Sequence, residues 1–425
     1  MRYSIVSKGL SVDEMKAEAG KVGATAITES RILNQVFCEL TESQAATLGK
    51  VPGLALKLIK SVQTHAVMVP KLAAIEPQQE LSDEIQNVFS NIRYLFSPPI
   101  TGEGLTVAVL DSGIRKTHEA LKDKVVYEAN FSSSPTAADN FGHGTQVAFV
   151  IAGGDVDSER AGVSPGAKLM NIKVINDAGS ATEEEVVLAI GRVCELVEAA
   201  MMQGLDKTDP MWPNVINLSL GAEDDGDADS PMRIACRTAS QDYGIDVIAA
   251  AGNFGPNLTT VTTPGTEPEV ITVGAIETAS YIEIWEKSSR GPTKLGDMKP
   301  DFVMWGVEVE GASNTNDIDY LAKSGTSFAT PMVSGLTGLL WEAGRRAYGE
   351  AWNFRWTEAR QLAPYYCLKP EDAPTRQDHD YGYGLPAVGT MVSRIGAPRV
   401  TTDISGMITP LMLLMMIMSM MRVMV

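Results

Sequence analysis

Three short segments of the chain carry side chains whose types suit chemistry on a bound substrate. Asp111 directly follows the apolar run 105–110, and a carboxylate at the carboxyl end of a buried strand can orient an imidazole. His143 stands between two glycines, and imidazole is the side chain best suited to act as a general base near neutral pH. Ser327 precedes a helical pattern, so backbone amides near its hydroxyl can stabilise an anion.

Each of these residues also has an ordinary structural role. Asp111 can cap the turn that follows it, His143 can pack in a turn, and Ser327 can be a helix N-cap. Taken singly, these structural roles are the favoured interpretations. The order Asp, His, Ser, with a local pattern around each residue, favours the chemical interpretation.

The segments around these residues resemble the subtilisin-like serine proteases, in which the three groups follow one another in the same chain order. The matching segments are Ala108 to Ile114, Gly142 to Thr145 and Gly325 to Pro331. Segments 299–301 and 381–384 are similar to further landmarks of the family, and the resemblance covers about residues 93–390. It implies a serine endopeptidase with Ser327 as nucleophile, His143 as general base and Asp111 as the residue that orients the imidazole.

Two further segments are similar to parts of the family's substrate site. The resemblance implies that Asn253 donates to the oxyanion and that Ser219, Leu220 and Gly221 form the edge that pairs with a substrate backbone. From the residues alone, Asn253 can instead be a turn residue in the left-handed region. Phe254 follows it near the position where family members shape the first substrate pocket, so we expect a preference for a large apolar side chain at the cleaved position.

The chain departs from the family pattern at positions outside the three catalytic residues. Gln146 stands where the family often has a second histidine, and Met304–Trp305 replaces an Ala-Pro pair. A peptide-binding pseudoprotease and a peptide ligase or cyclase are alternative functions. The complete set of Asp, His, Asn and Ser speaks against the first, whereas the second differs only in keeping water from the acyl-enzyme. None of these functions requires a cofactor.

Apolar strand-like runs alternate with helical patterns after residue 93, which predicts a parallel sheet between two layers of helices. The runs are 105–110, 168–174, 215–220, 246–251 and 270–273, and the clearest helix is 184–202. The sequence therefore predicts a three-layer α/β catalytic domain over residues 93–390.

Residues 1–68 predict a small α+β unit that precedes this domain. Strands at 3–7, 35–40 and 54–59 alternate with two helices, whose capping boxes are Ser11 with Glu14 and Thr41 with Gln44. By resemblance, the unit is a ferredoxin-like prodomain that assists folding and inhibits the enzyme as its first binding partner, in a self-processed zymogen. Residues 69–92, which are interrupted by Pro70 and Pro77, predict a linker with the processing site, and 391–425 predict a tail.

Charge and cysteine content exclude some functions. The 35 Lys and Arg against 53 Asp and Glu residues give a net charge of −18, which argues against a nucleic-acid partner. Residues 223–229 are rich in carboxylates but fail the EF-hand pattern, so we expect a solvated loop that also favours basic substrates. No metal ligand is assigned, and a structural calcium ion stays open. The four cysteines are too widely spaced for a redox pair or zinc site.

The two termini bear on localisation, which stays unassigned. The first residues lack the apolar run of a secretory leader. Residues 404–421 are free of charge and rich in methionine, at the lower length limit for a bilayer span. They predict membrane contact through an anchor, with a partner-binding helix as the alternative.

Overall fold

The structure, a computed structural model, describes residues 1–64, 77–277 and 282–396. Its N-terminal unit contains β1 (Arg2–Ser7), α1 (Val12–Lys21), β2 (Thr25–Ser30), β3 (Gln35–Glu39), α2 (Glu42–Leu48) and β4 (Leu54–Leu58). The strands form an antiparallel sheet in the order β2-β3-β1-β4, and the βαββαβ sequence of elements is the ferredoxin-like arrangement. Both predicted capping boxes are present at the starts of α1 and α2.

The remaining elements build the larger unit. Its first strand, β5 (Ser61–Thr64), is contributed by the N-terminal segment of the chain. Its other strands are β6 (Thr106–Asp111), β7 (Val125–Asn130), β8 (Lys168–Lys173), β9 (Ser180–Thr182), β10 (Val215–Leu218), β11 (Leu220–Gly221), β12 (Asp246–Ala250), β13 (Ile271–Ile276), β14 (Phe302–Trp305), β15 (Val309–Ala312), β16 (Tyr320–Lys323), β17 (Cys367–Leu368) and β18 (Leu385–Pro386). Its helices are α3 (Pro77–Arg93), α4 (Gly144–Ala152), α5 (Glu183–Met202), α6 (Pro231–Gln241), α7 (Thr326–Tyr348), α8 (Trp356–Ala359) and α9 (Val388–Gly396).

A seven-stranded parallel sheet in the order β14-β13-β12-β10-β6-β8-β7 forms the middle layer. Alternate residues of β6 enter two separate cores, with Val107 and Val109 on one face and Ala108 and Leu110 on the other. Helices α4 and α7 cover the first face, and α5 and α6 cover the second. The predicted three-layer α/β fold is therefore confirmed.

Helix α3 lies inside the segment that the sequence predicts as a linker. Ile85, Phe89 and Ile92 are buried along it, and the Phe89 ring packs edge-on against Trp305 with centroids 5.9 Å apart. Asparagine, glutamine and serine separate these apolar residues, so the narrow helical stripe is inconspicuous in the sequence. Residues 69–76 of the predicted linker lie outside the described residues.

The N-terminal unit packs on the helical layer formed by α5 and α6. Leu33 and Phe37 are buried in the same core as these helices. Gly191 permits the close approach, because a Cβ atom there would lie 2.6 Å from Ser30 Oγ. The Gln35 side chain also donates to the Pro231 carbonyl at 3.1 Å. The two units therefore share one apolar interface.

Within the described residues, no helix combines the length and apolar character needed to cross a bilayer. The predicted anchor at 404–421 lies outside these residues.

Candidate active site

Asp111 and His143 form a buried pair at the carboxyl edge of the sheet. Asp111 ends β6 on the face of Val107 and Val109, toward α4, and His143 directly precedes that helix. Asp111 Oδ1 lies 2.7 Å from His143 Nδ1, and both side chains are 1% exposed. Because the carboxylate accepts a hydrogen bond from Nδ1–H, it keeps the proton on Nδ1 and leaves the imidazole lone pair on Nε2.

Asp139, which the sequence analysis did not single out, holds the loop that carries His143. Its carboxylate accepts five hydrogen bonds of 2.6–3.1 Å, from the Ser112 hydroxyl, the Phe141 and Gly142 amides, and the amide and hydroxyl of Thr145. The only local signal is the Asp-x-x-Gly spacing to Gly142, which is typical of a turn. Asp139 thus ties the end of β6 to the start of α4.

Ser327 is the second residue of α7 and is fully buried. Its hydroxyl donates to the Ser219 carbonyl at 3.0 Å, and the Ser219 hydroxyl donates to the Ser327 carbonyl at 2.8 Å. Pro331 explains the second bond. A proline is tolerated best in the first turn of a helix, so the sequence predicts that the helix begins close to Pro331. This prediction is wrong, because α7 begins at Thr326 and Pro331 lies inside it. Lacking an N–H, Pro331 leaves the Ser327 carbonyl without its helical donor, and Ser219 supplies one.

The pairs Asp111–His143 and Ser219–Ser327 lie close together. The ring of Phe328, the residue after Ser327, is 5.5 Å from the imidazole, centroid to centroid. Among the described residues, His143 Nε2 has no hydrogen-bond partner. The serine hydroxyl is thus directed at Ser219 and not at the imidazole.

Asn253 follows β12 and contacts the start of α7. Its Oδ1 accepts from the Thr326 amide at 3.1 Å and the Thr326 hydroxyl at 3.0 Å. These bonds identify the carbonyl end of the side-chain amide, so the NH2 end is directed away from Thr326. Asn253 is not among the residues with positive φ, so the left-handed turn role is wrong. Thr326, which holds the Asn253 side chain, is after Asp139 the second residue of the site that the sequence analysis did not identify.

The edge at 219–221 is paired with a strand that comes from the N-terminal side. β5 runs antiparallel to β11, with Gln63 opposite Gly221 and Thr64 opposite Leu220. On its other side β5 pairs with β9, and Val62 is fully buried. The edge therefore holds an extended chain by backbone pairing, as the sequence predicts for a substrate.

A cavity of about 470 Å³ adjoins this edge. Its lining includes Gly221, Asp224, Phe254 and Thr262, so it offers both apolar and acidic surface. The apolar preference predicted from Phe254 stays a prediction. Among the described residues, no group of three or more His, Cys, Asp or Glu side chains is arranged to hold a metal ion.

Lys323 places a cation beside the catalytic loop. Its ammonium donates to the Gly142 carbonyl at 2.6 Å, one residue before His143. Burial lowers the pKa of Lys323, although the carboxylates of Asp139 and Asp111 oppose that shift. Sequence reasoning missed this residue, because a lysine that ends a short strand gives no local signal.

Comparison with known proteins agrees with this geometry. The family model described as the subtilase family matches residues 102–384. Serine protease AprX of Bacillus subtilis (strain 168) is 35% identical over 264 residues, which cover 57% of this chain and 58% of that protein. Subtilisin of Bacillus sp. (strain TA39) is 30% identical over 322 residues, covering 72% of this chain and 71% of that protein. Subtilisin DY of Bacillus licheniformis is 35% identical over 246 residues, covering 56% and 77%. The chain thus spans less than two thirds of AprX.

Proposed function

Since the chain belongs to the subtilase family, we propose that it is a serine endopeptidase that hydrolyses peptide bonds through an acyl-enzyme on Ser327. The observation that carries the proposal is the buried 2.7 Å contact between Asp111 Oδ1 and His143 Nδ1. It leaves the basic Nε2 of a buried imidazole without a hydrogen-bond partner among the described residues, and the ring of Phe328, next to Ser327, packs against that imidazole.

The reaction proceeds by two acyl transfers. The Ser327 hydroxyl gives up its hydrogen bond to the Ser219 carbonyl. Its oxygen then attacks the peptide carbonyl while its proton passes to His143 Nε2. The imidazolium then protonates the leaving amine, and the acyl group stays on Ser327 as an ester. Water attacks this ester with the same imidazole as base, which releases the acid and restores the serine. Asp111 keeps the imidazole in one tautomer and stabilises its protonated form.

The oxyanion that forms at each step needs hydrogen-bond donors. The Asn253 NH2 group and the Ser327 amide supply them, because Thr326 holds the other end of the Asn253 amide and the Ser327 amide belongs to the first turn of α7. Such donors act most strongly in the transition state. Loss of one of them typically lowers kcat by about 10²–10³-fold.

We further propose that the N-terminal unit is an inhibitory prodomain that the enzyme removes from itself. The position of β5 between β9 and β11 supports this role, since a substrate cannot pair with the same edge while β5 is there. The buried Leu33 and Phe37 hold the unit on the catalytic domain. Cutting the chain after β5 leaves a non-covalent complex, from which the unit must dissociate before a substrate binds.

Variants of the catalytic residues test the peptidase proposal. Ser327→Ala and His143→Ala should each abolish turnover of a peptide substrate, and Ser327→Ala should also abolish labelling by a fluorophosphonate probe. Ser393→Ala, at an exposed serine of another helix, is the matched control and should behave as the wild type. Normal turnover in Ser327→Ala would refute the proposal, and product mass separates hydrolysis, which adds a water, from ligation.

Membrane contact through 404–421 also stays a proposal. Deleting that segment should move the protein from a sedimenting membrane fraction to the supernatant while leaving peptidase activity unchanged. Equal sedimentation of both chains would contradict it.

A further inference from the structure

The acidic segment, residues 223–229, is not simply solvated, because two lysines from the N-terminal side contact it. Lys60 Nζ lies 2.8 Å from Asp225 Oδ2, and the Lys57 ammonium donates to Asp227. Among the ion pairs of the described residues, Asp225 and Asp227 have no cation from the catalytic domain. Both carboxylates therefore lose their ion-pair partners when the N-terminal unit leaves.

Glu183 adds a buried carboxylate next to the same lysine. It is the first residue of α5 and is fully buried, and its Oε1 accepts from the Met232 amide at 3.1 Å. Its backbone amide donates to the Lys60 carbonyl at 2.9 Å, whereas its Oε2 has no hydrogen-bond partner among the described residues. Burial raises the pKa of Glu183, and the nearby Lys60 charge opposes the shift. Among the described residues, Glu183 therefore adds a buried oxygen acceptor without a hydrogen-bond partner near the Lys60 charge.

The pairing of β5 fixes where this cation site lies along a substrate. Gln63 is opposite Gly221 and Thr64 is opposite Leu220. A substrate that continues in this register places its next residue opposite Ser219, whose carbonyl holds the Ser327 hydroxyl. That residue carries the carbonyl that Ser327 attacks. A substrate side chain in the place of Lys60 therefore lies five residues before the attacked residue.

We propose that Glu183 and Asp225 form a subsite for a lysine or arginine side chain of the substrate, five residues before the residue whose carbonyl is attacked. The inference rests on the proposed peptidase function. In the unprocessed chain, Lys60 occupies the subsite, and after the N-terminal unit dissociates, a substrate cation replaces it. Partial burial by itself would raise the pKa of Asp225, but Lys60 and backbone hydrogen bonds within the acidic segment together outweigh it, and the pKa lies below its ordinary value.

Two matched peptides test the subsite. The enzyme is prepared from the full chain and used after the N-terminal unit has been cut off and has dissociated. One internally quenched peptide copies residues 57–68, and the other differs only by alanine in place of Lys60. For a partly exposed ion pair, we expect kcat/KM to be about twofold to fivefold higher for the lysine peptide, mainly through KM. The ratio should fall toward one in 0.5 M salt, because the pair is reachable by solvent ions.

Variants of the acidic segment distinguish a direct contact between Asp225 and the substrate cation from a general effect of the segment's negative charge. Asp225→Asn should bring the peptide ratio close to one. Asp229→Asn removes the same charge from the same segment, but Asp229 pairs with Arg237 at 3.6 Å, so this control should keep the ratio. A wild-type ratio of one, or an equal loss of preference in both variants, would overturn the subsite. If neither peptide is cleaved in a Ser327-dependent manner, the peptidase proposal itself fails, and the subsite with it.

Discussion

Gly144→Ala tests whether the contact between α4 and β6 is what aligns the catalytic pair. A Cβ atom on Gly144 would lie 2.3 Å from the Gly113 carbonyl oxygen, 3.0 Å from Asp111 Cβ and 3.1 Å from Asp111 Oδ1. The nearest atom belongs to the backbone, so no side chain can move aside. Relief of the clash requires a displacement of about 1 Å between α4 and the end of β6. Added to the 2.7 Å separation of Asp111 and His143, this displacement breaks their hydrogen bond.

The expected effects on stability and on catalysis differ in size. Overpacking of this kind costs about 1–3 kcal/mol of unfolding free energy, which lowers Tm by about 1–5 °C in a chain of this size. Loss of the carboxylate that orients the histidine lowers kcat by up to about 10⁴-fold. We therefore expect Gly144→Ala to fold, with kcat reduced by about 10²–10⁴-fold.

The assay pairs peptide kinetics with thermal unfolding. Gly389→Ala is the matched control, since Gly389 also lies in the first turn of a helix but its Cβ would meet only Ile92 Cγ1 at 3.6 Å. That variant should keep wild-type kcat and Tm. If Gly144→Ala kept kcat within threefold of the wild type, the argument that this glycine aligns the pair would be refuted.

Three further substitutions test other contacts described above. Asp139→Asn places an NH2 group against backbone donors, so we expect a loss of about 1–3 kcal/mol in unfolding free energy and a lower kcat, measured by denaturant titration and peptide kinetics. Ser219→Ala removes the donor to the Ser327 carbonyl, so kcat should fall about tenfold in peptide kinetics, equivalent to about 1.4 kcal/mol. Asp225→Asn should weaken binding of the released N-terminal unit about twofold to fivefold at pH 7 and low salt, in an inhibition titration. Because Lys60 lowers the pKa of Asp225 in the complex, this difference is complete above pH ~5 and is lost as the pH falls through the lowered pKa.

Each of these three predictions would be contradicted by a particular result. Unchanged stability in Asp139→Asn would mean that the five hydrogen bonds do not hold the catalytic loop. Wild-type kcat in Ser219→Ala would mean that the Ser327 carbonyl does not need a donor. An affinity difference for Asp225→Asn that grows at acid pH would have the wrong sign for a carboxylate stabilised by an ammonium.

Local sequence signals predicted the elements that carry the proposed catalytic residues. β6 runs to Asp111, and α4 begins one residue after His143, because an apolar run and small residues before a helix are short-range patterns. The predicted capping boxes of α1 and α2 are confirmed for the same reason. Strand β2 was missed, because most of its residues are exposed and it has no apolar alternation.

The contacts that position the site are long-range, which is why the sequence did not reveal them. Asp139 receives donors from both sides of the loop, and Ser219 meets Ser327 across 108 residues of chain. In the sequence, Lys57 and Lys60 are ordinary surface lysines, and only the structure places them against the acidic segment. Their role depends on the strand register, and a single sequence does not encode that register in any local pattern.

Intact mass and the new amino terminus of the purified chain, wild type beside Ser327→Ala, test the central claim most directly. The register of β5 predicts that the wild type cuts the bond after residue 65, four residues before the 69–92 linker to which the sequence alone assigns the processing site, so its larger fragment should begin at Ala66. Ser327→Ala should remain uncut. A wild type that stays intact, or a variant that is processed at the same bond, would contradict the account of Ser327 as the nucleophile of a self-processing peptidase.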